Sequence, residues 1–166
     1  GLEIDMERIN EFGRRFGLGE EVLGIDIPGE RRGWLPDSAS FNKRNKRSGW
    51  RWARGLILNL SIGQGQLVTP LQQAVLVGSL ATNAGVYKPH LMKELRDRSG
   101  KVIKKFEPEI IRSGQMKEST HKVILAGLDS VVNHPGGTGK RGAVKGIRVG
   151  GKTGSGEWKK GEKTHE

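Results

Sequence analysis

The chain contains no cysteine. That excludes a disulfide framework and a thiolate metal site, and it leaves the redox compartment open, because a cysteine-free chain suits either one. Aromatic residues make up only 5% of the sequence and hydrophobic residues 34%, so the core is expected to be thin; 26 glycines make loops plentiful. No apolar run approaches the ~18 residues that a membrane-spanning helix needs, and no signal-peptide pattern is present. His90 and His121 do not lie at metal-ligand spacing from a second ligand. No metal and no cofactor is expected. The chain also lacks an initiating Met and begins at Gly1-Leu2-Glu3, as a piece of a longer protein would.

What is present is positive charge. The net charge of +11 over 166 residues fits one domain with an anionic partner: nucleic acid first, then an anionic membrane or wall polymer. The stretch Lys43-Arg44-Asn45-Lys46-Arg47-Ser48-Gly49-Trp50-Arg51-Trp52-Ala53-Arg54 mixes cations with two tryptophans that could stack on bases. The plainer reading is a solvated loop whose tryptophans pack on the body.

Periodicity places a helix over about Met6 to Phe16, capped by Asp5, ended by Gly17, with Ile9, Phe12 and Phe16 on one face. Residues 31–54 read as a polar, basic loop. Leu56 to Gly65 is an apolar run closing in a glycine-bracketed turn. Thr69-Pro70-Leu71-Gln72 is a strong helix start, in which Thr69 caps, Pro70 takes the first helical position and Gln72 completes a capping box. Leu71, Ala74, Val75, Gly78 and Ala81 are then expected inward. A hairpin is expected where Leu91–Arg96 and Lys101–Phe106 flank Asp97-Arg98-Ser99-Gly100. A further helix covers roughly Glu118 to Val132, with Val123, Ile124, Gly127, Leu128 and Val131 inward.

The most informative stretch is Val149-Gly150-Gly151-Lys152-Thr153-Gly154-Ser155-Gly156. Ile147 and Val149 suggest a strand running into it. Glycines let another backbone lie close, and a strand edge offers N–H and C=O groups to an extended peptide. Lys152 adds charge, and Thr153 and Ser155 add hydroxyls. The physical reading is an edge for an extended, anionic, peptide-like ligand. Gly146 to Thr153 also spells the phosphate-loop pattern G-x-x-x-x-G-K-[ST], which carries meaning only between a buried strand and a helix. Neither flank looks suited to that. The simplest alternative is a basic, glycine-rich hairpin.

In order along nearly the whole chain, Phe16-Gly17-Leu18-Gly19, Gly24-Ile25-Asp26-Ile27-Pro28-Gly29-Glu30, Ser61-Ile62-Gly63-Gln64-Gly65 with Thr69-Pro70-Leu71-Gln72, Gly85 to Leu91, Gly136-Gly137-Thr138-Gly139 and Gly151-Lys152-Thr153-Gly154 resemble the transpeptidase domain of class B penicillin-binding proteins. Gln64 between its glycines resembles the elongation-type branch, penicillin-binding protein 2. The resemblance implies an α+β fold, helices packed on an antiparallel sheet and incomplete in this chain, with residues 1–166 forming the C-terminal part of one domain. The family's first signature, S-x-x-K, is spelled by Ser40-Phe41-Asn42-Lys43, whose first three residues also spell the second signature, S-x-N. One stretch cannot serve as both, and its position lies beyond the second. The chain is therefore expected to lack the nucleophile and to be inactive in isolation.

By resemblance, Lys152 and Ser155 are the catalytic candidates, and Gly151, Thr153 and Gly154 bind substrate. Lys152 would hold positive potential at the carboxylate of a peptidoglycan stem peptide and support proton transfer. Thr153 would hydrogen-bond that carboxylate, Gly154 would leave room for the peptide, and the Ser155 N–H would enter an oxyanion hole. Trp158 either walls the cleft or covers the core. The implied partners are peptidoglycan stem peptides, β-lactam antibiotics and membrane proteins of the elongation complex, with no nucleic acid. The implied location is the periplasmic face of the cytoplasmic membrane, through an N-terminal anchor outside this chain.

Overall fold

The computed structural model describes residues 5–154, 156–159 and 162–164, in two units divided after Gln115.

The first unit opens with helix α1 (Met6–Arg15). The Asp5 carboxylate accepts from Arg8 N at 2.8 Å, and Gly17, with φ +85°, turns the chain out of the helix. Met6 and Phe16 are buried, and so is Asn10, whose amide donates to the Pro36 carbonyl at 2.7 Å. Phe12, expected inward, is 48% exposed. Beyond α1, the Glu30 carboxylate accepts from the N–H groups of Leu23, Gly24 and Ile25, which ties the turn-rich connection into one loop.

Residues 31–54 are not simply a loop. Trp34 bridges to Leu67, and helix α2 (Ser38–Arg44) follows. The signal that the sequence reading missed is Asp37. Its carboxylate accepts from Ser40 N at 2.6 Å while the Ser40 hydroxyl accepts from Asp37 N at 3.0 Å, a capping box built with Ser in place of the usual Glu or Gln. A 3₁₀ turn (Lys46–Ser48) continues the segment. Trp52 packs edge-on against Phe41, with ring centroids 5.6 Å apart, and Arg44 lies over the Trp34 ring at 4.7 Å. Trp50 stays 63% exposed, so the expected packing of both tryptophans holds for Trp52 only.

The apolar run forms helix α3 (Leu56–Ser61), and Gly63 and Gly65, at φ +85° and +86°, bracket the turn that follows. Helix α4 (Pro70–Thr82) begins with the expected capping box. It ends at Asn83, whose φ of 51° stops the helix in the left-handed region. Its inner face differs from the expected one. Gln72 and Ser79 are buried, while Ala74, Gly78 and Ala81 are exposed. Two polar anchors set the rotation: the Gln72 amide donates to the carbonyls of Gly19 (2.9 Å) and Glu21 (3.3 Å), and the Ser79 hydroxyl donates to the Gly85 carbonyl (2.8 Å). Residues 72, 75, 76 and 79 then fall inward at helical spacing.

Strand β1 (Val86–Tyr87) pairs antiparallel with β4 (Ile110–Arg112), and β2 (Glu94–Arg96) with β3 (Val102–Lys105). The β2–β3 hairpin is the expected one, closed by Asp97, whose carboxylate accepts from Ser99 N and Lys101 N, and by Gly100 at φ +86°.

Gln72 joins three segments of this unit. Replacing it with Ala removes half of the capping box and leaves the buried Gly19 carbonyl without that donor. Gln72→Ala is expected to destabilise the fold by about 3 kcal/mol, measured as a shifted midpoint in denaturant unfolding. A midpoint within error of the parent's would contradict this anchoring role.

The second unit consists of helix α5 (Glu118–Asn133), a 3₁₀ turn (Lys140–Gly142), and the antiparallel pair β5 (Gly156–Lys159) and β6 (Glu162–Thr164). Along α5, Val132 is buried and Ile124, Leu128 and Val131 are half-buried, whereas Val123 (72% exposed) and Gly127, both expected inward, face out. The 149–151 segment sets this face: Gly151 N donates to the Leu128 carbonyl at 3.0 Å, and the Asn133 amide donates to the Val149 carbonyl at 2.9 Å.

No described helix is long and apolar enough to cross a membrane.

Candidate functional site

The site lies in the second unit, where the end of α5, the loop after it and residues 149–154 meet. Pro135 and Gly137 close a turn through Gly137 N donating to the His134 carbonyl at 2.8 Å. The loop then folds back over the helix end, and Gly139 N donates to the Val131 carbonyl at 2.8 Å. One of the helix's last carbonyls thereby gains a partner. The loop can lie this close because Gly137 has no side chain: an added Cβ would sit 2.4 Å from the Val131 carbonyl oxygen and 2.6 Å from that of Ser130.

Residues 149–154 run along the same helix end. The sequence suggested a strand here, but these residues have no regular structure, and β5 begins only at Gly156. The physical reason is the pair of bonds to α5 given above, since the Gly151 N–H and the Val149 carbonyl are already used. Arg148 is fixed too, its Nε donating to the Asp129 carboxylate at 2.7 Å. That guanidinium holds the Asp129 carboxyl below its ordinary range, by hydrogen bonding first and charge second, and the Asn133 amide adds to the effect.

These constraints bring Gly151, Lys152, Thr153 and Gly154 to the wall of an open concavity of about 1130 Å³. Lys152 is exposed, with its ammonium donating to the Thr153 carbonyl at 2.5 Å. A Cβ added at Gly154 would meet nothing within 4 Å, so backbone has room to approach there. Ser155 and the Trp158 side chain lie outside the described residues.

One neighbour was not singled out from the sequence. The Thr138 hydroxyl lies 3.2 Å from the Thr153 hydroxyl. One of the pair must donate to the other, so a Thr153 hydroxyl that donates to a ligand can accept from Thr138. The run Gly136-Gly137-Thr138-Gly139 marked a tight turn, but nothing local says that it faces residue 153.

Two other readings are now decided. A phosphate loop needs a buried strand before residue 146 and a helix after Thr153. Residues 144–147 instead form a turn, with Gly146 at φ +80°, and β5 follows the Lys-Thr-Gly run. Ser40 is engaged as a helix cap in the first unit, its hydroxyl bonded to both the N–H and the carbonyl of Asp37. That is the environment of a structural hydroxyl rather than of a nucleophile with an activating base. Among the described residues, no group of three or more His, Asp or Glu could hold a metal.

A mixed fold of helices with small antiparallel sheets defines an α+β protein, and this one carries a lysine–threonine–glycine run in an open basic groove. The family is fixed by comparison: all of residues 1–166 match the penicillin binding protein transpeptidase domain, and the chain belongs to that family. It is 32% identical over 155 residues to stage V sporulation protein D of Bacillus subtilis, covering 93% of this chain and 22% of that protein. It is 26% identical over 158 residues to the peptidoglycan D,D-transpeptidase MrdA of Acinetobacter baumannii, covering 95% of this chain and 22% of the relative. Among solved structures, penicillin-binding protein 2 of Helicobacter pylori, in complex with MreC, superposes with a TM-score of 0.69 at 29% identity, over 93% of this chain and 26% of that one. The chain thus spans about a fifth of the length of these curated relatives. The α+β expectation agrees with these matches, whereas the nucleic-acid-binding reading gains nothing from them.

Proposed function

We propose that this chain is the substrate-binding C-terminal part of a peptidoglycan D,D-transpeptidase that works through a serine acyl-enzyme and is trapped by penicillin. The observation that carries the reading is the Lys152–Thr153 pair, backed by the Thr138 hydroxyl, at the wall of an open groove.

In the reaction, a serine supplied by sequence beyond this chain attacks the penultimate D-Ala carbonyl of a stem peptide. The peptide bond breaks, the terminal D-Ala leaves as its amine, and the amine of a neighbouring strand then takes the acyl group and frees the serine. Lys152 places positive charge where the donor's terminal carboxylate binds. Thr153 donates to that carboxylate while accepting from Thr138. Charge-assisted bonds of this kind are roughly twice as strong as neutral ones. Gly151 and Gly154 keep the groove clear, and the Ser155 N–H is assigned to the oxyanion hole, where fixed donors meet developing charge.

The same reading assigns β-lactams as ligands, and assigns an elongation complex as partner, as in the Helicobacter pylori protein in complex with MreC. It puts the working protein on the periplasmic face of the cytoplasmic membrane. The test is labelling by a fluorescent penicillin. The full-length protein is expected to form a stable adduct and the isolated chain none. An adduct on Ser40 of the isolated chain would sink this placement of the chemistry.

A further inference from the structure

The groove that holds Lys152 carries more positive charge than one carboxylate requires. Lys140 and Arg141 line the same concavity as Lys152 and Thr153. Both extend from the 3₁₀ turn Lys140–Gly142, which is tied down at each end. Gly142 N donates to the Gly139 carbonyl at 2.9 Å, Ala143 N to the Lys140 carbonyl at 3.1 Å, and Gly139 N anchors the turn to the end of α5. A cation on a tied turn loses less freedom on binding than one on a loose loop.

The acids among the described side chains do not neutralise this charge. Among the described side chains of the second unit, Glu118 pairs with Lys122 at 2.6 Å and Asp129 with Arg148 at 2.7 Å. Neither acid lines the concavity. At about 1130 Å³ the groove also exceeds the upper end of ordinary small-ligand pockets, roughly 1,000 Å³, so it has room for more than a terminal dipeptide. Cations focused in a groove draw anions and set their register.

We infer that Lys140 and Arg141 form a second anion subsite, which takes a carboxylate of the wall peptide other than the terminal one bound at Lys152 and Thr153. This rests on the transpeptidase reading for the identity of the ligand. The second carboxylate belongs either to the donor peptide, upstream of its D-Ala pair, or to the acceptor peptide. Both present the same chemistry, and the guanidinium of Arg141 suits it through paired N–H donors.

The experiment is calorimetric binding to the full-length protein, with penicillin labelling run beside it. A donor-type peptide ending in D-Ala-D-Ala and an acceptor-type peptide are each used in two forms, with the internal carboxylate free or amidated. The free acid is expected to bind about tenfold more tightly in at least one arm, and the arm that shows the preference identifies the source. The preference should weaken as salt rises, fall to about onefold in the Lys140→Ala/Arg141→Ala double variant, and survive in part in Arg141→Lys. Thermal unfolding of each variant shows whether its fold is kept. Equal binding of both forms in both arms overturns the inference, and so does a preference that persists in a folded double variant. Loss of penicillin labelling in the parent would strike the transpeptidase reading instead, and the binding ratios would still decide the subsite.

Discussion

Replacing Lys152 with Met is expected to lower penicillin acylation and peptide cross-linking by the full-length protein by about 10²- to 10³-fold. Lys152 is exposed and takes part in no described ion pair; among the described residues its ammonium bonds the carbonyl of the next residue. Its removal therefore costs the fold little, and surface changes of this sort usually fall within about 0.5 kcal/mol. The groove loses the charge that lies beside Thr153, and the donor carboxylate loses its counter-charge in both ground and transition states. Lys152→Arg separates two parts of the role. It keeps the charge but moves it to a larger, planar group that cannot give up its proton, so binding of the carboxylate should recover more than the acylation rate. The measurement is acylation kinetics with a fluorescent penicillin, alongside thermal unfolding. An acylation rate within threefold of the parent's in Lys152→Met would remove the residue from the chemistry.

Local signals carried a good deal of this structure. Asp5 and the Thr69-Pro70-Leu71-Gln72 run start helices where cap chemistry says they should, and Asp97 with Gly100 closes the expected hairpin. These features depend on residues within one turn of each other, so the sequence states them directly. Helix rotation is different. Ala74, Gly78 and Ala81 formed a plausible inner face of α4, but Gln72 reaches Gly19 and Glu21, more than fifty positions away, and turns the helix so that Gln72 and Ser79 are buried. In α5 the 149–151 segment makes the same kind of choice against Val123 and Gly127. Helix α2 was missed for a smaller reason: six cations, with Asn45 and Gly49 among them, in 43–54 drew attention away from Asp37, and a serine at the third helical position is a weak partner for a capping box. At the site, glycine-rich spacing pointed to Lys152, Thr153 and Gly154. It could not reveal that Thr138 faces Thr153, or that Lys140 and Arg141 share their groove, because those pairings depend on how the loop lies over α5.

That dependence leads to a second large effect, which separates two glycines that look alike in the sequence. Gly137→Ala places a methyl group 2.4 Å from one backbone carbonyl oxygen and 2.6 Å from another. Neither is the end of a flexible side chain, so the loop itself must lift off α5. The Gly139 N–H bond to Val131 then breaks, Thr138 moves away from Thr153, and the Lys140–Gly142 turn loses its anchor. The expected cost is about 3 kcal/mol or more, together with loss of penicillin labelling in whatever fraction remains folded. Gly142→Ala, five residues on, is expected to do the opposite. An added Cβ there meets nothing within 4 Å, and the residue sits in a helical turn that alanine adopts readily. Restricting the unfolded chain should then stabilise the protein by about 0.4–1 kcal/mol. Denaturant unfolding of the two variants in the full-length protein, read with penicillin labelling, tests the pair together. A Gly137→Ala protein as stable and as readily labelled as the parent would mean that the loop does not lie against the helix end, and the positions of Thr138, Lys140 and Arg141 would have to be given up with it.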